Sequence, residues 1–308
     1  MKFQSLNFDA GETAYFAREL EAVKSASYDI KFPELMAFSI FPISSDTPEG
    51  AQSITYNQYE STGKARIISN YADDLPTANI MGKQFISAVK SVGISYQYSQ
   101  DDLRASLMTG KGLPQRIADA ARLGNDQKVN DLAFFGDDDY NIFGLFNNPN
   151  IPSASVANDG VGPSTLWSTK TPDQIIRDMN DLVNGIRVLT KDVERANTLL
   201  LPISQYAFIS STPRSSTSDT TILDFFKRAN EDIKDVIAIE QCAGAGPLGV
   251  DVMVAYNRNP GKLTLEIPMP YKQYNPQERN LNLYIPCESK FGGLLTYYPL
   301  SMSIGEGI

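Results

Sequence analysis

A few sets of residues in this sequence have types and spacings that could do chemistry. Gly244-Ala245-Gly246-Pro247-Leu248-Gly249 matches G-x-G-x-x-G, a pattern in which a glycine turn and a helix N-terminus together hold a pyrophosphate. That mechanism needs a helix directly after the turn. Val250-Asp251-Val252-Met253-Val254-Ala255-Tyr256 has the composition of a strand instead, and Pro247 sits inside the motif. The stretch therefore reads as a glycine loop joining two strands. Asp137-Asp138-Asp139 offers carboxylates to a divalent cation, but no spaced set of further acids follows as a calcium loop requires. It reads as a solvated turn. Lys64, in the turn Ser61-Thr62-Gly63-Lys64, could serve as a reactive amine only beside a partner, and the sequence shows none. Cys242 and Cys287, the two cysteines, read as reduced and structural.

What is missing narrows the chemistry further. The chain has no histidine, which removes the usual acid–base group near neutral pH and every Ser-His or Cys-His nucleophile. Its formal net charge of −9 disfavours general affinity for nucleic acid or an anionic membrane. The opening Met1-Lys2-Phe3-Gln4-Ser5-Leu6-Asn7 lacks the apolar run of a secretion signal. No apolar stretch approaches the roughly 20 residues of a membrane span. With 15 Tyr and 15 Phe but no cationic groove to accompany them, the aromatics read as core or interface residues.

The elements that position these residues begin with an arm, in which Asp9 caps a short helix carrying Phe16, Leu20 and Val23. The chain then extends through Tyr28-Asp29-Ile30-Lys31-Phe32-Pro33. Alternation in Ser53-Ile54-Thr55-Tyr56-Asn57-Gln58-Tyr59 predicts a strand, and Ala65-Arg66-Ile67-Ile68 can return as its partner. The outer face of that hairpin is too polar to lie in a core. A further strand, 84–96, leads into a helix over 99–135. Ser99 and Asp102 open that helix with reciprocal capping, and Phe134-Phe135-Gly136 closes it. Gly110-Lys111-Gly112-Leu113-Pro114 predicts a kink or a break.

An acidic turn follows, then a short apolar strand, Ile142-Phe143-Gly144-Leu145-Phe146. A loop over 148–171 holds Trp167, the single tryptophan. Thr171-Pro172-Asp173 starts a helix with Ile175, Ile176, Met179, Leu182, Val183 and Ile186 on one face. Thr198-Leu199-Leu200-Leu201 reads as a buried strand, 221–229 as a helix and 236–239 as a strand. From Asp251 onward the pattern is β throughout.

This order of elements resembles the major capsid proteins of tailed bacteriophages of the HK97 type, in the subgroup without a fused scaffold domain. The most specific part is 99–147, which is similar to that family's spine helix and the segment after it. The resemblance implies an α+β, HK97-like capsid fold. Its parts would be an N-terminal arm (1–45), an extended E-loop hairpin (46–80, centred on 50–71), a peripheral domain (81–150 and 256–308) with a long spine helix (99–135), and an axial α/β domain (151–255). The implied function is self-assembly into the icosahedral shell that encloses a phage genome, with no enzymatic activity, cofactor or metal. The implied contacts are with copies of the chain in hexamers and pentamers, and with separate scaffold, portal and decoration proteins. DNA would be enclosed without sequence-specific binding, no membrane would be involved, and the virion, assembled in the host cytoplasm, would be the location. Intersubunit contacts would fall on Ile54, Tyr56, Tyr59, Lys64, Arg66 and Ile68, and the axial loop on Gly244, Gly246 and Gly249.

The physics agrees with that reading. A hairpin that cannot bury both faces within one subunit gains a second face from a neighbour. An acidic chain encloses DNA without gripping it. Two alternatives remain: an encapsulin-like compartment with the same fold, and an α/β enzyme using 244–249 for a nucleotide. The absent histidine and the strand after that loop count against the enzyme.

Overall fold

The computed structural model describes residues 34–65, 77–109, 113–159, 164–215 and 219–308, and these belong almost wholly to the unit Leu35–Ile308. The arm's expected helix and extended segment, and residues 110–112 of the expected break, lie outside the described residues.

In chain order the elements are α1 (Ala37–Ile40), β1 (Ile43–Ser44), β2 (Ser53–Thr62), β3 (Asn79–Ala88), β4 (Lys90–Ser99), α2 (Gln100–Thr109) and α3 (Leu113–Phe135). Then come β5 (Ser153–Ser155), α4 (Pro172–Leu189), β6 (Thr198–Leu201), α5 (Ile203–Ser211), α6 (Ile222–Ala229), β7 (Asp235–Ala238) and β8 (Val252–Tyr256). The chain ends with β9 (Leu263–Glu266), β10 (Met269–Gln273), β11 (Gln277–Arg279), β12 (Asn282–Phe291), β13 (Leu294–Thr296) and β14 (Met302–Glu306). Helix and sheet are mixed, as expected.

The long helical segment lies across a sheet made by β4, β12, β10 and β11. Strands β4 and β12 pair antiparallel from Ser99↔Asn282 to Lys90↔Phe291. Helix α3 approaches that sheet closely at Gly124, where a Cβ would stand 3.2 Å from Ile94 Cδ1. Asn125 accepts a hydrogen bond from the Ser289 hydroxyl at 2.8 Å, and Asn130 accepts one from the Ala37 N–H at 3.1 Å. Polar residues on the buried side of α3 thus fasten it to the sheet and to α1.

The capping expected at Ser99 is present in both directions. The Ser99 hydroxyl accepts from the Asp102 N–H at 3.0 Å, and Asp102 accepts from the Ser99 N–H at 3.1 Å. The helical segment expected over 99–135, with a kink or a break at 110–114, is two helices, α2 and α3. Proline and glycine in that stretch withhold helical hydrogen bonds and favour a break.

A second sheet takes the order β5-β14-β8-β6-β7 and has a hydrophobic cluster on each face. Val252, Val254 and Tyr256 of β8 point into one cluster, and Met253 and Ala255 into the other. A strand buried on both faces reads as a continuous apolar run, which is why 252–256 carries no polar residue. Helices α4, α5 and α6 cover one side. Gln174 accepts from the Thr171 N–H at 2.8 Å at the start of α4, and Thr221 caps α6 by accepting from the Asp224 N–H at 3.2 Å.

Three expectations are corrected. The partner of β2 is 79–88, in register from Ser53↔Ala88 to Thr62↔Asn79, so the hairpin is longer than one returning through Ala65-Arg66-Ile67-Ile68. Residues 142–146 are no strand. The Leu145 and Phe146 N–H groups donate to the Ala133 and Phe134 carbonyls at 3.0 and 2.8 Å, so this segment caps the open carbonyls of α3. Strand β14, read from sequence with the other strands of the C-terminal return, joins the second sheet instead, between β5 and β8.

Candidate functional site

The β2–β3 hairpin forms a two-stranded sheet of its own. At its root it is clamped to the body. The Ser87 hydroxyl donates to the Gly292 carbonyl at 3.0 Å, and Tyr56 donates to the Thr296 carbonyl at 3.2 Å. The Tyr56 ring stacks on Phe85 with centroids 5.2 Å apart and meets Tyr297 edge-on at 5.1 Å. Burial, then the neighbouring Tyr297, push the Tyr56 phenol above its ordinary range. Ile54 fills the space over Gly292, where a Cβ would come within 2.7 Å of its Cδ1. Behind Tyr297, Thr264 and Thr47 donate to the buried Glu266 carboxylate at 2.9 and 3.3 Å.

Beyond the root no such clamp to the body is seen among the described residues. The register places Thr55 opposite Ile86, Tyr59 opposite Gly82 and Ser61 opposite Ile80. Residues opposite each other share a face, so Ile86, Tyr59 and Ile80 form one stripe, and all three are exposed. Tyr59, 69% exposed, lies over Gly82, where a Cβ would be 3.2 Å from its ring. Of the sequence candidates, Ile54 and Tyr56 face their own subunit, while Tyr59 and Lys64 are exposed. Arg66 and Ile68 lie outside the described residues.

The glycine loop sits at the start of β8, and a strand follows it, so no helix N-terminus is available for a pyrophosphate. Gly244 and Gly249 adopt left-handed φ values of 64° and 76°. The Gly246 N–H donates to the Val250 carbonyl at 2.9 Å, and the Gly244 N–H to the Asp251 carboxylate at 3.0 Å. The loop is therefore internally bonded, with Leu248 fully exposed at its tip.

The acidic turn after α3 is tied up in its own backbone. Asp137 and Ile142 exchange hydrogen bonds at 2.8 and 2.9 Å, and Asp138 accepts from the Asn147 side chain at 2.9 Å. Among the described residues no cluster of His, Cys, Asp and Glu could hold a metal ion.

One charged cluster escaped sequence reasoning. Lys170, buried, bonds Asp178 at 2.5 Å and the Ala157 carbonyl at 2.7 Å, with Asp159 at 3.4 Å. Arg177 bridges Asp159 and Asp178 at 2.5 and 2.9 Å. The Arg177 hydrogen bond holds the Asp159 carboxyl below the usual carboxylate range. Asp178 within the apolar stripe of α4 was the available signal. Every charge in the cluster is paired, so it fastens Ala157, Asp159 and Lys170 to α4 rather than presenting a reactive group.

Residues 63–308 match the model of a family described as major capsid protein. The fold is similar to the capsid of Myoviridae phage XM1, with a TM-score of 0.82 at 18% identity over 95% of this chain and 98% of that one. It is similar to a chain of Mycobacterium phage Bobi, with a TM-score of 0.63 at 12% identity over 98% of both chains. A virus-like particle from Pyrococcus furiosus gives a TM-score of 0.55 at 10% identity over 87% of this chain and 90% of that one. None of the curated proteins matches the chain.

Proposed function

We infer the function from membership: this chain belongs to the major capsid protein family, and it is a structural protein of a phage shell. The observation that carries the finer reading is the β2–β3 hairpin, clamped at its root and exposed at Tyr59, Ile80 and Met81 farther out. An isolated two-stranded ribbon is marginal in water and gains stability from a second surface. In the proposed shell, that surface is a neighbouring copy.

The arm's contacts to a neighbour are assigned to Tyr59 and Lys64, together with Arg66 and Ile68, while Ile54 and Tyr56 set the angle at which the arm leaves. The glycine loop at Gly244, Gly246 and Gly249 is assigned to the centre of a hexamer or pentamer. The domain division is an arm over 1–45, a hairpin over 46–80, a peripheral domain over 81–150 and 256–308, and an axial domain over 151–255, with β14 contributing its strand to the axial sheet. Such a shell encloses DNA without reading its sequence, uses separate scaffold, portal and decoration proteins, is put together in the host cytoplasm and resides in the virion. No catalytic step is assigned to it.

Negative-stain microscopy of the purified chain, alone or with its scaffold, tests this. Closed shells of uniform size are expected. A persistent monomer that turns over a small substrate would sink the reading. The compartment alternative is supported by the Pyrococcus particle, but the fold lies nearer the phage capsid, at 0.82 against 0.55.

A further inference from the structure

The sheet β5-β14-β8-β6-β7 has β5 at one end of its order, and all three residues of that strand are exposed. Strand β5 bonds to β14 through alternate residues. The Ile304 N–H donates to the Pro152 carbonyl at 2.9 Å and the Val156 N–H to the Glu306 carbonyl at 3.0 Å, with Ala154 between them in register with Gly305. Backbone groups turn to alternate sides along a strand, so those of Ser153 and Ser155 face outward. An open row of donors and acceptors is a template for a further strand.

A groove of about 560 Å³ runs beside that edge, between β5 and α4. Most of its surface is apolar, supplied by Ala154, Leu182, Gly185, Val188, Leu189 and Met253. Its floor and its wall both lack bulk. Ala154, Gly305 and Met253 share one row across three strands, and the two nearest the edge are small. On α4, a Cβ at Gly185 would meet nothing within 4 Å. Glycine inside a helix weakens it, and here no crowding requires glycine. The adjoining Val188 and Leu189 are 78% and 56% exposed.

Charge selects the kind of segment that fits. The charged residues lining the groove are Asp178 and Asp181. Asp178 is taken up by Lys170 and Arg177, whereas the Asp181 side chain is 73% exposed, with the Arg177 Nε 4.0 Å away. An exposed carboxylate on an apolar groove favours a basic group next to an apolar one. The chain's own formal charge of −9 disfavours a second copy in that place.

We propose that the β5 edge and the groove under α4 form a docking site for an extended segment of a different protein, one that alternates apolar residues and carries a lysine or arginine at its end. The segment adds as a strand to Ser153 and Ser155, its apolar side chains cover Val188 and Leu189 over Gly185, and its cation meets Asp181. The site needs only one folded subunit, so it stands apart from the shell reading.

The probe is a fluorescein-labelled heptapeptide of alternating valine and threonine with a lysine at each end, and fluorescence anisotropy with the purified full chain reads its binding. A copy N-methylated throughout should bind at least tenfold more weakly, because it cannot donate to the edge. Gly185→Leu should melt at the same or a higher temperature than wild type, since leucine is the better helix former, yet lose binding at least tenfold by filling the groove. Ser155→Pro removes an outward N–H alone, so it should stay folded and weaken binding to a similar extent. Asp181→Lys should cost about threefold with the lysine probe, the worth of an exposed ion pair, and favour a probe ending in glutamate. No binding of the lysine probe at about 1 mM, or binding that N-methylation and Ser155→Pro leave within twofold, overturns the proposal. A Gly185→Leu chain that loses its own self-association marks the occupant as a second copy and overturns the assignment to another protein.

Discussion

The Tyr56 hydroxyl donates to the Thr296 carbonyl at 3.2 Å, a bond that joins positions 240 residues apart in sequence. It fastens the arm to the segment just before the C-terminal strand. The same ring stacks on Phe85 and meets Tyr297 edge-on, so hydrogen bond and ring contacts can be separated by substitution. Tyr56→Phe should cost about 1 kcal/mol, the worth of one net hydrogen bond. Tyr56→Ala should cost about 2–3 kcal/mol by removing both aromatic pairs as well. Hydrogen exchange should show faster exchange at 79–88 in Tyr56→Ala than in Tyr56→Phe. Equal exchange in the two would mean the ring does not hold the arm.

The split helix, the capping pair at Ser99 and Asp102, and the apolar stripe of α4 were legible because each is a local pattern. The partner of β2 was not. Ala65-Arg66-Ile67-Ile68 has strand composition, but pairing is set by register and by what Phe85 and Ser87 find on the body, which local turn chemistry does not carry. The segment 142–146 misled for a related reason. Its apolar residues signalled burial correctly, yet their backbone N–H groups serve the end of α3, a need visible only once the helix end is placed. The left-handed backbone of Leu248 was invisible, because nothing in Pro-Leu-Gly announces it.

The end of α3 depends on Asn147. Its side chain accepts from the Gly144 N–H at 2.6 Å and donates to Asp138 and to the Ile142 carbonyl at 2.9 and 3.2 Å. Gly136 must be left-handed here, at φ 64°, and a Cβ on it would sit 2.5 Å from the Ile142 carbonyl. Asn147→Ala should destabilise by about 2–3 kcal/mol, because it leaves part-buried groups unpaired. Gly144→Ala should be worse, since its Cβ would lie 2.5 Å from the Gly136 nitrogen and 2.8 Å from the Phe134 carbonyl, and backbone cannot move aside cheaply. Urea unfolding of the two variants gives the order.

The Lys170 cluster should govern acid stability. Asp159 has a folded pKa below its unfolded value, held there first by the Arg177 hydrogen bond. Its contribution is therefore present above the unfolded value of about 3.9 and is lost as pH falls through the lower folded value. Asp159→Asn should flatten the acid limb of a melting-temperature profile below about pH 4. Lys170→Met should destabilise at neutral pH by about 3–5 kcal/mol, because it strips the buried Asp178 of its lysine. Lys170→Met combined with Asp178→Leu should recover much of that loss. A double variant as weak as the sum of the singles would contradict this account.

The free end of the hairpin should be dispensable for folding. Replacing 58–83 with a two-residue turn keeps Tyr56, Phe85 and Ser87 at the root and removes Tyr59, Ile80 and Met81. The truncated chain should melt within a few degrees of the intact one and fail to close shells. Loss of soluble fold would show that the hairpin's end supports its own subunit.

Tyr271 offers the last test, because its hydroxyl is buried without a well-formed hydrogen bond. Burial, and then the Cys287 thiol beside it, push its phenol up to about 12. A raised phenol favours the neutral folded form, so its contribution is complete below the ordinary value near 10 and disappears as pH rises through about 12. Tyr271→Phe should keep the ring packing and remove a polar atom that has no well-formed hydrogen bond among the described residues. It should therefore be neutral, or stabilising by less than about 1 kcal/mol, at neutral pH. In a spectrophotometric titration it should remove one phenolate from the upper limb of the curve and leave the limb near pH 10 intact. A destabilised Tyr271→Phe would mean that the hydroxyl has a bonding partner in solution.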